Sequence, residues 1–208
     1  MATKYMGISA LLMLAAFITP ASAAYRYQDK ICQENGRAGF NEGSFSECGR
    51  VEGKSVTSLL LKKRVLRAIR MRTALLKSVN WSSVNLDYAI AQETFWYAPI
   101  LRNISLLQSD FRGARIESAQ IKGVEAKKSD FRAARILYSS LSEIDFHRAD
   151  LRDSYFLHSN LKNIDFSGAD LRGSVWLKTK CENCRYDPLT KLPWNESEAK
   201  RRGFLAHE

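Results

Sequence analysis

The sequence has 208 residues, 26% of them charged, with 32 Lys and Arg against 22 Asp and Glu and a formal charge of +10. That length fits one large domain with a core of its own. Eight basic residues and no acidic one lie between positions 54 and 86; apart from these and Lys4, the chain holds 23 basic against 22 acidic residues, which excludes a uniformly basic nucleic-acid binder.

Residues 1–23 carry Lys4, an apolar run over 8–18, then Pro20 and the small-residue sequence Ala21-Ser22-Ala23. Eleven apolar residues are too few to span a bilayer, and the small-residue end is what a signal peptidase reads. A secretory signal is therefore predicted, with a mature chain from Ala24 that is soluble, exported and periplasmic, or else secreted. Residues 24–57 form a Gly-rich N-terminal cap with Cys32 and Cys48.

The stretch 58–77 admits two readings. Cut in fives it keeps apolar centres at Leu61, Leu66, Met71 and Leu76, which suits degenerate coils of the repeat that follows, although Arg64 would then face inward at a cost. A basic amphipathic helix is the alternative. Its cations, Lys62, Lys63, Arg64, Arg67, Arg70, Arg72 and Lys77, form a candidate basic patch for an anionic polymer or lipid headgroups, or a solvated end that aids solubility.

From Trp81 to Cys181 the chain repeats every five residues without an insertion. Of the 21 central positions, 18 are large and apolar, the exceptions being Ala91, Ala126 and Cys181. Two residues earlier stands Ala, Ser, Thr, Val or Ile, except at Pro99. Neither a helix nor an ordinary strand sustains a period of five. Residues also recur at steps of 20: Val84, Ile104, Val124, Ile144 and Ile164 in one column, and Asp-apolar-Arg from Asp110, Asp130, Asp150 and Asp170 in another. The Ala126 gap falls beside Val124, which is expected to help fill that layer. This pattern resembles the pentapeptide-repeat family, A-(D/N)-L-x-x, most closely at Ala149-Asp150-Leu151 and Ala169-Asp170-Leu171. The resemblance implies an all-β, right-handed quadrilateral β-helix over 58–184, with about five or more 20-residue coils and the centre and small residues pointing inward. It also implies a C-terminal cap at 185–208: Tyr186-Asp187, Thr190-Lys191 and Pro193-Trp194 are similar to the family's caps, followed by a short helix over 195–202 and Phe204. The DNA mimicry best known in the family, by an acidic rod, is not expected of a basic, exported chain.

Four cysteines in an exported protein point to disulfides, most economically Cys32–Cys48 and Cys181–Cys184. Zinc is disfavoured because the pairs would sit at opposite ends of the rod. Cys181 and Cys184 also raise a thiol–disulfide enzyme, a weak reading without a βαβ context. The Asp/Arg columns read as a solvated salt-bridge network. No catalytic constellation, metal set or cofactor motif is visible; His147 and His158 take outward positions on different faces.

One outward side is not polar. Phe95 and Tyr97, Leu137 and Tyr138, Tyr155 and Leu157, and Val175 and Leu177 would merge into an apolar stripe interrupted by Arg115 and Glu117. The chain's own tail, a second copy or a different protein could cover it. The expected function is a non-enzymatic scaffold or protein-binding module.

Overall fold

The computed structural model describes residues 51–53 and 55–207. The proposed leader, Cys32 and Cys48 lie outside the described residues.

The five-residue frame is physically a bend. Every fifth residue from 53 to 183 has a positive φ, and 22 of these corner residues are not glycine. A left-handed residue costs about 1–2 kcal/mol outside glycine, less for Asn or Asp, so the burial that each corner enables must exceed it. Four corners return the chain to its starting side after 20 residues: Leu76 pairs with Trp96, Trp96 with Ile116, and Phe156 with Trp176. All the paired strands are parallel. Seven short strands, from Ser55–Thr57 to Val175–Leu177, make a narrow sheet, and nine make a wide sheet that begins at Leu60–Val65 and bends round a second corner. Since Lys180–Glu182 and Cys184–Tyr186 share one level, the wide sheet has about eight levels. The chain is thus a β-solenoid, and 58–77 belongs to it as coil: Leu60–Val65 pairs with Asn80–Asn85. Arg64 stands level with Val84 in the inward column and is half-buried.

The centre and small positions fill the interior, as the resemblance implied. Aromatic rings run through it from Trp81 and Trp96 through Phe111, Phe131 and Phe146 to Phe166, with neighbouring centroids 5.0–6.2 Å apart. The exception at Pro99 has a physical reason. In its column the backbone N–H bonds to the hydroxyl of the next coil instead of to its backbone: Ala119 to Ser139, Ser139 to Ser159, and Ser159 to Thr179. A proline there removes no link of the backbone ladder. Ala126 departs from expectation: Val124 does not fill its layer. An apolar cavity of about 40 Å³ remains, lined by Leu106, Ala126 and Phe146 among others.

The C-terminal end is closed by the tail. An extra residue enters the last coil, so that Asp170 bridges to Lys191. The Asp187 carboxylate ties the turn by accepting from Gly168 N at 2.8 Å and the Thr190 hydroxyl at 2.7 Å. Asn195 caps the helix Glu196–Arg201 through Glu198 N, and strand Phe204–Ala206 pairs with Cys184–Tyr186. Trp194 and Phe204 meet Trp176 at 5.5 and 5.4 Å, over the open end of the core. The described disulfide, Cys181–Cys184, sits beside this cap, near the C-terminus rather than in an N-terminal loop.

Candidate interaction surfaces

Winding at 20 residues per coil gives four outward faces of different chemistry. On the narrow sheet is the apolar face. Tyr97, Val175 and Leu177 are 42%, 42% and 53% exposed, and Tyr138, at the adjoining corner, is 63% exposed. Phe95, Leu137, Tyr155 and Leu157 beside them are half-buried. The tail does not cover this stripe, because Trp194 and Phe204 are committed to the solenoid's end. Cations lie over its rings: Arg115 over Phe95 at 5.3 Å, Arg135 over Tyr155 at 5.5 Å and Lys77 over Tyr97 at 5.9 Å. Arg115 also pairs with Glu117, so the interruption is a neutral, ring-covering pair. Two features went unnoticed in the sequence: half-buried Leu75 extends the stripe, and Tyr138 stacks on His158 at 5.1 Å.

Opposite, on the second half of the wide sheet, is a face richer in acids, with Asp87, Glu125, Asp145 and Asp165 against Arg67, Lys127 and Arg185. Asp87 is almost buried, accepting from Leu107 N and the Asn85 side chain. Lys127 reaches Asp145 at 3.1 Å.

A third face carries the Asp/Arg ladder. Each Arg grips the Asp two residues before it, as Arg132 does Asp130 at 2.6 Å, and Arg112 and Arg132 also approach the Asp of the next coil at 3.6 Å. Burial alone would raise the carboxyls of Asp110 and Asp150, but hydrogen bonds from Arg112 and Arg152 outweigh it and hold both below the usual carboxylate range. Asp170 is held low chiefly by its hydrogen bond from Arg172.

The remaining face, on the first half of the wide sheet, has two columns. One runs Lys62, Ser82, Arg102, Lys122, Ser142, Lys162 and Glu182; the other holds Asn80, Gln120, Ser140, Asn160 and Lys180. Five cations here stand against one acid.

The candidate basic patch is divided by the winding. Lys62 and Lys63 lie on or beside the basic face, Arg67 on the acidic one, Arg70 and Arg72 on the ladder side and Lys77 on the apolar side, forming a collar round the first coils. At the other end, Cys181 is 8% exposed and Cys184 fully buried. Among the described residues no three His, Cys, Asp or Glu side chains gather as a metal site, and no helix is long and apolar enough to cross a membrane.

The fold and its faces define a repeat protein of the β-solenoid class. The family model for pentapeptide repeats matches residues 129–168 with eight copies. Residues 129–168 of this β-solenoid are thus similar to that family's repeat. Among solved structures it is similar to a trypsin-treated form of QnrB1, a plasmid-mediated fluoroquinolone resistance protein, at 16% identity over 76% of this chain and 90% of that one, TM-score 0.39. HetL, a pentapeptide repeat protein involved in heterocyst differentiation regulation from the cyanobacterium Nostoc sp. strain PCC 7120, is 18% identical over 90% of this chain and 91% of its own, TM-score 0.25. Rfr23 from the cyanobacterium Cyanothece 51142 is 14% identical over 70% and 90%, TM-score 0.22. These likenesses carry no argument about activity. No curated protein matches the chain.

Proposed function

We propose that the protein is an exported, non-enzymatic scaffold that docks a protein partner on its apolar face. The observation that carries this reading is the row Tyr97, Tyr138, Val175 and Leu177, exposed on a rigid parallel sheet. Large apolar and aromatic side chains set in a row on a sheet suit the core of an interface. The face is roughly 10 Å wide and ~29 Å long, about 300 Å² in projection. A stable interface needs ~800 Å² per side, so a partner that wraps the corners fits better than a flat self-pairing. Cys184 is fully buried and Cys181 only 8% exposed, which supports a structural disulfide over thiol exchange. Export rests on the leader sequence; cleavage before Ala24, read by the mass of the fractionated protein, tests it.

A photo-crosslinking residue at position 138, with position 152 on the ladder face as control, tests the docking in native cells. A defined protein adduct at 138 that is absent at 152, and lost in Leu137→Arg with Leu157→Arg, is expected. Equal capture at both positions, or none, overturns the reading. A dimer of the purified chain that the double variant abolishes would replace the partner with a second copy.

A further inference from the structure

The basic face is a groove as well as a charged column. One depression of about 770 Å³ is lined by Ser140, Ser142, Asn160, Lys162, Lys180 and Glu182 and closed at the cap by Arg201, Arg202 and Gly203. A second, of about 440 Å³, lies along the same columns between Arg102, Gln120, Lys122, Ser140 and Ser142. Sharing Ser140 and Ser142, the two run end to end along the solenoid axis. Lys122 pairs with Glu143 at the corner and Lys162 with Glu182. Arg102 and Lys180, both exposed, have no ion-pair partner among the described residues. On the opposite face Arg112, Arg132, Arg152 and Arg172 each pair with an Asp, whereas the groove keeps Arg102 and Lys180 open to an anionic ligand.

We infer that this groove binds an extended, carboxylated polysaccharide along the solenoid axis. Cations recur along it at multiples of the coil spacing of ~4.8 Å, beside the neutral donors and acceptors Asn80, Gln120, Ser140, Ser142 and Asn160. Such a mixture matches a ligand that alternates carboxylates with hydroxyls. Two other extended ligands fit less well. The columns contain no aromatic ring on which unpaired bases would stack. Their backbone N–H groups are engaged between coils, as Gln120 N is with Pro99 O and Asn160 N with Ser139 O, so a peptide finds no open strand edge here. This site lies on a different face from the apolar stripe and stands independently of the protein-docking proposal.

The probe is polygalacturonate, titrated against the purified chain at low and at physiological salt. Wild type is expected to bind polygalacturonate and not neutral dextran, with affinity weakening as salt screens the cations. The triple variant Arg102→Glu, Lys122→Glu, Lys180→Glu should lose about tenfold or more in affinity, with unchanged melting. A triple variant with the same change in charge off the groove, Arg72→Glu, Lys77→Glu, Arg148→Glu, should lose less than about twofold. Absence of wild-type binding, or equal losses in the two variants, overturns the proposal. Duplex DNA or polyglutamate binding as tightly as polygalacturonate would also overturn it, leaving a generic cation surface.

Discussion

Trp96 and Trp176 each donate their indole N–H to a hydroxyl two residues earlier, Thr94 at 2.8 Å and Ser174 at 2.9 Å. Trp81 has Val79 at that position, and its buried N–H meets no acceptor among the described residues. Val79→Thr should therefore stabilise the protein by about 1 kcal/mol in a denaturant titration, because it supplies the missing acceptor. No change or a loss would show that the hydroxyl is not the missing element. Ala126 makes the same kind of case for volume. Ala126→Val removes part of the cavity of about 40 Å³, and a gain of ~1 kcal/mol is expected. Inward and outward positions also differ in what they tolerate. Phe166, fully buried, should not accept Asp without unfolding of its neighbouring coils, whereas Ser142→Asp on the outer surface should melt like wild type.

At the scale of elements, the ladder and the cap obtain their stability differently. The carboxyls of Asp110, Asp150 and Asp170 are held below their ordinary range. Their contribution is complete at neutral pH, starts to fall as the pH drops below the unfolded Asp value of about 3.9, and is gone below the folded values. The melting temperature should thus decline as the pH falls below about 4, and Arg132→Gln with Arg152→Gln should flatten that decline. An unchanged slope would remove the ladder as its cause. In the cap, Gly203 has φ +86°, and a Cβ there would fall 1.9 Å from the Cys181 carbonyl oxygen. Backbone cannot retreat as a flexible side chain can. Gly203→Ala should cost about 3 kcal/mol and release the cap first, seen as early loss of Trp194 fluorescence ahead of the main transition.

Over the whole molecule, a stack of parallel coils must end somewhere, and each uncovered end is a template for another chain. Removing residues 193–208 would uncover the strand Cys184–Tyr186 and the rings of Phe166 and Trp176. The shortened chain should associate with rising concentration in sedimentation; a persistent monomer would show that the cap has no such role. Much of this architecture was legible in the sequence, because inward position depends only on place within five residues. Trp81 to Cys181 could be assigned one by one, and the steps of 20 in the Asp/Arg columns set the coil. The corners were not legible, since Thr73, Tyr88 and Gln108 have no preference for the positive φ that they adopt. Nor was the true form of the basic segment, where helical and coiled periodicities overlap. The surface charge shows the division most clearly. In sequence, Arg102, Lys122, Lys162 and Lys180 are scattered over 79 residues and do not stand out as a cluster. Residue type and spacing determined which side chains point outward, whereas winding decided which of them stand together, because neighbours on a face are 20 residues apart along the chain but only one strand spacing, ~4.8 Å, apart in space.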